Sequence, residues 1–580
     1  MNLVTIDNNR LWSKKNKNLL LGDWCIDNKH RYLKSKKNKY LISEYHWNNK
    51  LKYQNDIKYL YKIYDILLNN LYLYLNKVHG LNHPIRYWEI LLSKWLWTFT
   101  VMTYDRWEIV RTLNNKKLYA KIFCYERKRF IPHDAFEFAR SIVSSDDWNH
   151  WVYSEIFRFT NKITFSEVGN KKIIPKFIYN QEEFKSDNYL LNPISTFLSS
   201  KKIFSQNLNF SKKFKALYGI FYRQIRYSKK INTQNFNIKL NMEARNNFKI
   251  KTKKNDNFLK FIASLVRFNL PKIYLEYYHS MNESIKKINV PKNPKIIMTS
   301  GDHAYNDAFK FYTAKKVLNG SKFFIFQHGG LYGTCESSPN EKFEIKIADR
   351  FFSWGWKESN KKVYPLFLQK TIYQKIEKKN NAKGLIIPIT EYDLAPGTHS
   401  NAGQPTNKID VNRYIDNIVS FVKGIDNKII SESGFKYLDN IKCNYHVDSL
   451  KYRFPNIKIV DTIKNTCLLS KNYKLTVETV NSTGFLESLN LNIPVILLLD
   501  KKLFPLRKTA VKDFNMLKKV KIVYDSPEDA AKFINENYNH LKEWWGSKGL
   551  QKARAKFCYR FARPSTSPMK DLRKALFYGK

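Results

Sequence analysis

Apolar side chains recur every three or four positions in DIKYLYKIYDILLNNLYLYLNKV, residues 56–78, which is the spacing of an amphipathic helix. His79-Gly80 follows, and glycine is the favoured residue just past a helix end. The next segment, residues 86–113, is apolar on nearly all sides and rich in tryptophan, so the sequence predicts a deeply buried helix there. Another aromatic helix is predicted at residues 144–156.

Polar side chains inside the buried helix need partners, because an unpaired buried charge is costly. Two explanations are about equally good, namely internal ion pairs that hold helices in register and contacts with a bound substrate. The residues concerned are Arg86, Glu89, Asp105 and Arg106.

After Pro291 the pattern changes to short apolar runs separated by helical stretches, at roughly thirty residues per unit. This rhythm is typical of a doubly wound, parallel α/β sheet. A second series of the same kind begins near Gly384. The predicted strands of the two series lie within residues 295–303, 322–326, 347–356, 384–390, 457–461, 474–479, 494–500 and 520–525.

Glycines cluster at the end of one predicted strand. The run KFFIF, residues 322–326, is followed by QHGGLYG, although the 580-residue chain has only 19 glycines. Glycine is concentrated where φ must be positive or where a ligand lies against the backbone, and ligands bind at the carboxyl ends of parallel strands. We therefore expect His328 to act as general base or phosphate partner, with Gly329 and Gly330 offering backbone N–H groups. A structural histidine bonded to a neighbouring loop is the alternative.

A second candidate string is TVETVNSTGFLESLNLNIPVI, residues 476–496, where a predicted strand leads through a polar loop into a helix. Hydroxyls and backbone N–H groups at a helix amino end suit a phosphate, and Glu487, one turn into the helix, could accept a ribose hydroxyl. Ordinary helix capping uses the same residue types. The predicted nucleotide-binding residues are Asn481, Ser482, Thr483, Gly484 and Glu487, with Thr390 at the end of another strand.

Two more polar residues follow predicted strands and are candidates for the acceptor side. Asp23 comes directly after the apolar run LLLG, residues 19–22, and His303 follows the strand and turn KIIMTSGD. A helix cap is an equally good explanation for Asp23.

The charge of the chain is extreme, since Lys and Arg exceed Asp and Glu by 51. This invites a nucleic-acid interpretation, but the joint richness in Lys, Asn, Ile, Tyr and Phe is also what an A/T-biased coding sequence produces. One local cluster stands out, because residues 201–260 hold sixteen Lys or Arg against two acids. That segment is either a solvated insertion or a surface for an anionic membrane or glycan.

The cysteines show no CxxC or CxH spacing, so neither a disulfide framework nor a zinc site is predicted. The most apolar helix-length stretch, residues 85–104, contains Arg86, Glu89 and Lys94, which makes it a core helix and not a membrane span. No signal peptide is predicted at the amino terminus. We expect a cytoplasmic protein, with a peripheral position at the inner membrane face left open.

Two α/β halves, one with a glycine-rich corner and one with a phosphate loop and a glutamate, resemble a GT-B glycosyltransferase. More narrowly, the chain resembles the transferases of the LIC12162 family, which occur with surface-polysaccharide and nonulosonic-acid biosynthesis. The resemblance covers nearly the whole chain except residues 201–260. The strings that carry it, in order, are LLLGDWC, HPIRYWEILLSKWL, YDRW, QHGGLYG, DRFFSWGW and NSTGFLESLNLNIPVI.

The resemblance implies an α/β, GT-B-like fold in which two Rossmann-like domains face a cleft and the carboxyl-terminal helix crosses back. The expected acceptor-side domain spans residues 1–375, with a helical and basic insertion at about 50–290. The expected nucleotide-sugar domain spans residues 376–545, and a helical tail, residues 546–580, packs back on the first domain.

The resemblance also implies a glycosyltransferase that uses a nucleotide-sugar donor and a surface glycan or lipid-linked acceptor, such as O-antigen lipopolysaccharide or capsule. The donor could be a CMP-nonulosonate or an NDP-hexose. No cofactor and no metal is expected, because GT-B enzymes usually balance the leaving phosphate with helix amino termini and basic side chains. The alternatives are a basic nucleic-acid-binding protein, for which no specific signature is present, and a non-catalytic glycan-binding protein.

Overall fold

The computed structural model describes residues 1–26, 40–113, 117–170, 202–223, 239–251, 255–287, 290–336, 338–389, 408–437, 445–461 and 465–578. Within these ranges the strands form three parallel sheets, which we call the first, middle and carboxyl-terminal sheets. Helices pack on the sheets and between them.

The first sheet has the strand order β3-β2-β1-β4-β5, with neighbouring strands parallel. Its strands are β1 (Asn2–Val4), β2 (Asn18–Leu20), β3 (Tyr40–Ile42), β4 (Tyr119–Cys124) and β5 (Thr164–Asn170). The accompanying helices are α1 (Lys50–His79), α2 (Ile85–Arg111), α3 (Ala135–Ser144) and α4 (Asp146–Thr160). As predicted, α1 ends at Gly80, whose φ is 64°, and α2 is buried along nearly its whole length.

The middle sheet has the order β10-β9-β8-β7-β6, again with parallel neighbours. Its strands are β6 (Ile203–Gln206), β7 (Ile296–Thr299), β8 (Lys322–Phe326), β9 (Arg350–Ser353) and β10 (Val363–Pro365). The helices of this region are α5 (Lys212–Phe221), α6 (Met242–Asn247), α7 (Asn257–Asn269), α8 (Tyr278–Lys286), α9 (Asp302–Tyr305), α10 (Asp307–Leu318) and α11 (Pro339–Ile347). Because α2 packs on α4 and also on α10 and α11, it joins the first sheet to the middle one.

The carboxyl-terminal sheet has the order β13-β12-β11-β14-β15-β16, which is the doubly wound order of dinucleotide-binding sheets. Its strands are β11 (Leu385–Pro388), β12 (Gly434–Tyr437), β13 (Lys458–Asp461), β14 (Leu475–Glu478), β15 (Val495–Leu498) and β16 (Val523–Tyr524). The helices are α12 (Lys408–Lys423), α13 (Asn427–Ile430), α14 (Tyr445–Arg453), α15 (Thr466–Leu469), α16 (Thr483–Asn490), α17 (Lys508–Lys519) and α18 (Pro527–Asn537). The strand order reverses between β11 and β14, where such sheets bind ligands.

Three last helices return from the carboxyl-terminal half to the middle sheet: α19 (Leu541–Gly546), α20 (Lys548–Phe561) and α21 (Pro568–Phe577). The backbone N–H of Arg563 donates to the Trp354 carbonyl over 2.9 Å, beside the end of β9. On α21, Leu572 and Leu576 pack in one apolar cluster with Phe324 and Phe352 of the middle sheet. The fold is therefore α/β and GT-B-like, with two Rossmann-like halves facing each other and a carboxyl-terminal helix crossing back.

One part of the architecture was not foreseen in the sequence. The strands β1 and β2 do not extend the sheet that contains β8 but belong to a separate sheet with β3, β4 and β5. The segment expected as a helical insertion, residues 50–290, therefore contains strands as well. In the described part of the chain, no helix is both long and apolar enough to cross a membrane.

Candidate active site

The turn after β8 is held by Gln327, whose side chain is fully buried. Its Oε1 accepts hydrogen bonds from Trp354 N (2.9 Å) and Trp356 Nε1 (2.8 Å), and its Nε2 donates to the Gly329 carbonyl over 2.8 Å. The Gln327 carbonyl accepts from Gln369 Nε2 over 2.8 Å. These bonds fix the backbone on both sides of His328, so the imidazole is presented from a rigid corner at the carboxyl edge of the sheet.

Two glycines of QHGGLYG allow contacts that a side chain would block. A Cβ on Gly333, where φ is 70°, would lie 2.5 Å from the Trp356 ring. A Cβ on Gly330 would lie 2.5 Å from the Ser482 carbonyl carbon, in the other half of the molecule. The glycine clustering seen in the sequence thus corresponds to close packing, within the corner and between the halves.

His328 belongs to a group of four polar side chains. Its Nδ1 lies 3.6 Å from Glu344 Oε1, and the same oxygen lies 3.1 Å from His303 Nε2. Tyr332 donates its hydroxyl proton to Glu344 Oε1 over 2.9 Å. The His328 side chain is 36% exposed, whereas the Glu344 side chain is 5% exposed. The group therefore has a buried carboxylate behind a histidine that is open to solvent.

The electrostatics of this group favour a neutral His328 imidazole next to an ionised, buried Glu344 carboxylate. Burial lowers the pKa of His328, and Glu344 opposes that shift. Burial alone would raise the pKa of Glu344, but the charges of His328 and His303 and the hydrogen bonds from His303 and Tyr332 bring it below its usual value. A neutral histidine with an ionised carboxylate behind one ring nitrogen is the arrangement of a general base.

The facing element in the carboxyl-terminal half is the loop before α16. Ser482 caps the helix, with its Oγ accepting from the Gly484 N–H over 3.2 Å. Asn481 is buried, and its Nδ2 donates to Thr334 Oγ1 over 3.0 Å. Thr483 accepts from the Gly330 N–H over 2.8 Å. The structure thus brings the predicted loop Asn481–Gly484 directly against the His328 corner.

Two glutamates lie under this loop. Glu478, at the end of β14, is buried, and its Oε2 accepts from Ser482 Oγ over 3.2 Å. A Cβ on Gly484 would lie 2.4 Å from Glu478 Oε1, so the glycine makes room for this carboxyl. Burial raises the pKa of Glu478 to about 7, against the hydrogen bond from Ser482. Burial therefore makes this carboxyl easier to protonate than an exposed glutamate.

Glu487 and Lys370 connect the loop with His328. Glu487 is buried, accepts from Asn465 Nδ2 over 2.7 Å, and lies 3.9 Å from Lys370 Nζ. Burial raises the pKa of Glu487, and the Lys370 charge opposes this shift. The same lysine charge acts to lower the pKa of His328, so one cation lies near both predicted residues.

Some predicted residues are not part of this group. Arg86 makes a bidentate ion pair with Asp349, which precedes β9 at the opposite edge of the middle sheet. Asp105 and Arg106 have side chains with 0% exposure and pair with each other over 2.8 Å. Asp105 also accepts from Tyr45 and contacts His46. These pairs agree with the internal ion-pair explanation of the buried helix.

The remaining predictions were Asp23 and Thr390. Asp23 begins a short 3₁₀ helix, Asp23–Cys25, of which the structure describes the backbone but not the Asp23 side chain. Thr390 lies outside the described residues.

Four site residues were missed in the sequence: Tyr332, Glu344, Lys370 and Glu478. Glu478 carried a usable signal, because it ends a predicted strand directly before the loop. Glu344 lies within α11 and Lys370 in the segment after β10, and neither stands in a recognisable motif. Only the tertiary structure brings them to His328 and Glu487.

A group of possible metal ligands lies elsewhere, at His46, Asp56 and Glu108. Lys52 Nζ lies 2.9 Å from Glu108 Oε2 and also contacts Asp56. The Lys52 ammonium therefore balances the negative charge of the two carboxylates, and a metal ion is not needed for that purpose.

Comparisons with known proteins give the following similarities. Among solved structures, a UDP-N-acetylglucosamine 2-epimerase is similar at 11% identity, covering 66% of this chain and 97% of its own, with a TM-score of 0.35. The wall teichoic acid polymerase TagF is similar at 10% identity, covering 66% and 92%, with a TM-score of 0.32. HepE of Anabaena, solved in complex with UDP-glucose, is similar at 7% identity, covering 55% and 88%, with a TM-score of 0.32. A search of curated proteins finds no match.

The topology of the sheets and the contact between the two halves define a GT-B-like α/β protein. The profile described as LIC12162 family transferase matches residues 1–576. The chain therefore belongs to the LIC12162 family of transferases.

Proposed function

We propose that this transferase is a glycosyltransferase that moves a sugar from a nucleotide-sugar donor to a surface glycan or lipid-linked acceptor. The observation that carries the proposal is the position of His328. It is backed by Glu344, lies near Lys370, and stands where a Rossmann-like half with a loop at a helix amino end meets the other half.

His328 is the proposed general base. In the proposed tautomer the proton is on Nδ1, 3.6 Å from Glu344 Oε1, and Nε2, which lies 3.4 Å from the Tyr332 hydroxyl, takes the proton of an acceptor hydroxyl as its oxygen bonds to the sugar. Glu344 would stabilise the imidazolium that forms, and Tyr332 and His303 hold Glu344 in place. In these roles Glu344, Tyr332 and His303 are positioning residues.

The donor phosphate is proposed to lie at the amino end of α16. Backbone N–H groups there carry partial positive charge, and Lys370 adds a full charge close by. Together they would stabilise the phosphate as its bond to the sugar breaks. The Gly330 N–H, which now donates to Thr483 Oγ1, is a further donor that a phosphate oxygen could take over.

The nucleotide is proposed to occupy the crevice at the switch point between β11 and β14, with Glu487 as acceptor for a ribose hydroxyl. A buried carboxyl that already accepts from Asn465 has one oxygen left for that bond. The donor class proposed from family membership is a CMP-nonulosonate, with an NDP-hexose as the alternative.

A thermal-shift screen against CMP, UDP, GDP and TDP tests the donor half of the proposal. A nucleotide that binds only the folded protein raises Tm, and we expect one of the four to do so clearly. Thr483→Ala should reduce that shift, while Thr112→Ala, at the end of α2, should leave it unchanged. If no nucleotide shifts Tm and no nucleotide-sugar is hydrolysed, the proposed function is wrong. Salt-sensitive binding of arbitrary DNA would instead favour a nucleic-acid-binding protein.

A further inference from the structure

Two helices lie side by side on one face of the middle sheet. From α5, Phe214 and Tyr218 are buried, and from α21, Leu572 and Leu576 join the same apolar cluster. The two helices also approach each other electrostatically, since the Arg573 charge acts on the Tyr222 hydroxyl just after α5. The inner faces of both helices are thus buried against the middle sheet.

Their outer sides carry large apolar residues that the fold does not bury. On α5, Leu217 is 40% exposed, Ile220 78% and Phe221 58%. At the end of α21, Phe577 is 50% exposed and Tyr578 69%. Single exposed apolar residues are normal, but two neighbouring helix ends with five of them mark an interaction surface. We call these five residues the α5–α21 surface.

The charges on the same two helices are almost all positive. Lys212, Lys213 and Lys215 lie on α5, which has no acid, and Lys570, Arg573 and Lys574 lie on α21. The acid of α21, Asp571, accepts a hydrogen bond from Ser565 Oγ over 2.6 Å. Arg573 and Lys574 lie about one turn from Phe577 and Tyr578, whereas the lysines of α5 lie at its amino end and Ile220 and Phe221 at its carboxyl end. Exposed apolar residues beside basic side chains, as on α21, are typical of segments that lie on anionic membranes.

The position of the α5–α21 surface is compatible with an active enzyme. The amino end of α5 is near the cleft, because Ser211 N donates to the Gln369 carbonyl and Gln369 bonds to Gln327. The α21 end is near the amino end of β9, where Arg350 donates to the Ala575 carbonyl. An α-helix of ten residues is about 15 Å long, so the exposed ends lie roughly that far from the edge that carries His328.

We propose that the α5–α21 surface docks the protein on an anionic lipid bilayer. The apolar side chains would enter the headgroup region while Arg573 and Lys574 of α21 face the lipid phosphates. A second copy of this chain fits less well, because pairing the surface with itself would bring basic rows against each other. The inference goes beyond the proposed function, and it is compatible with a lipid-linked acceptor because docking leaves His328 uncovered.

Co-sedimentation with vesicles tests the proposal. The full chain should bind vesicles that contain phosphatidylglycerol, bind phosphatidylcholine vesicles much less, and lose the difference at high salt. The double variant Ile220→Ser/Phe221→Ser should weaken binding by at least about tenfold. The matched control Leu51→Ser/Leu73→Ser removes apolar residues of α1 that are 67% and 54% exposed, and it should bind like the wild type.

Three results would overturn the docking proposal. These are absence of binding to anionic vesicles, an equal loss in the control variant, and light scattering that shows the double variant breaking a dimer while vesicles remain unbound. Nucleotide thermal shifts measured without vesicles separate this outcome from failure of the proposed function. They should be the same in both variants and in the wild type, since none of these residues lies in the candidate site.

Discussion

His328 combines accessibility with a fixed environment. Its side chain is partly open to solvent, while its carboxylate neighbour Glu344 is buried and held by Tyr332 and His303. Since burial lowers the pKa of His328, the imidazole is neutral under physiological conditions and available to accept a proton. A histidine that only stabilised the loop would not need Glu344, whose carboxylate contacts His303, Tyr332 and His328 itself.

His328→Ala should abolish transfer while the protein still folds, because general base catalysis contributes about 10²- to 10⁴-fold in rate. The measurements are kcat/KM with the donor identified by the nucleotide screen and Tm by calorimetry. His540→Ala, on the surface of the carboxyl-terminal half, is the control and should keep both values. Wild-type turnover in His328→Ala would remove the catalytic assignment.

Glu478 should make stability depend on pH. Its ordinary pKa is 4.5, and burial raises the value in the folded protein to about 7. Between these values the folded state holds a proton that the unfolded state has lost, so the wild type loses stability as pH rises through this window. At about 1.4 kcal/mol per pKa unit, the loss is of the order of 3 kcal/mol.

Glu478→Gln should therefore lose less stability than the wild type between about pH 5 and about pH 8 in denaturant titrations. Some pH dependence should persist, because burial also raises the pKa of Glu137 to about 7. The exposed Glu543→Gln should follow the wild type. Parallel curves for wild type and Glu478→Gln would mean that Glu478 ionises normally.

At the scale of elements, the corner after β8 can contact the loop before α16 only because Gly330 has no side chain. A Cβ on Gly330 would meet the Ser482 backbone at 2.5 Å, whereas a Cβ on Gly329 would stay 3.8 Å from its nearest neighbours. The two glycines are adjacent in sequence but differ in what they permit.

Gly330→Ala should therefore separate the two elements, and overpacking of this kind costs typically about 1–3 kcal/mol. We expect lower stability and a larger loss of activity than in Gly329→Ala, which is the matched control. Calorimetry and the transfer assay measure the two effects. Equal behaviour of the two variants would show that the halves do not meet at Gly330 in solution.

Many of these elements were predictable. The strands β8, β9, β14 and β15 fall where short apolar runs precede turns, and α1 begins and ends within a few residues of its predicted bounds. The strand β12 was missed, because GFKY is too short to show a period. Which strands share a sheet was not predictable either, since an apolar run does not reveal its neighbour, and so β1 and β2 were not recognised as part of a separate sheet.

The candidate site was predictable only where its residues follow strands or begin helices. His328 and the Asn481–Gly484 loop are such cases, and they do face each other. Lys370 and Glu344 could not be predicted as site residues, because only their contacts with residues distant in the chain place them in the site.

At the scale of the whole molecule, one arginine adds ion pairs to the contacts between the two Rossmann-like halves beside the site. Arg507 lies before α17 in the carboxyl-terminal half, and its guanidinium contacts Glu341 over 2.6 Å and Glu358 over 2.7 Å in the other half. Its backbone N–H also donates to the Thr334 carbonyl over 2.8 Å. Burial raises the pKa of Glu341, and the Arg507 charge opposes this shift.

Arg507→Ala should open the molecule, because the side chain that forms ion pairs between the halves is lost. Small-angle X-ray scattering should show a larger radius of gyration, and a bound nucleotide should reverse part of the increase. The unpaired Glu341 should also cost stability, about 1–3 kcal/mol. The double variant Arg507→Ala/Glu341→Gln should recover that stability without restoring closure, which separates the bridge from the cost of an unpaired charge. Arg453→Ala, at an exposed arginine of α14, is the control for loss of a positive charge. An unchanged radius of gyration in Arg507→Ala would mean that the returning helices alone hold the halves together.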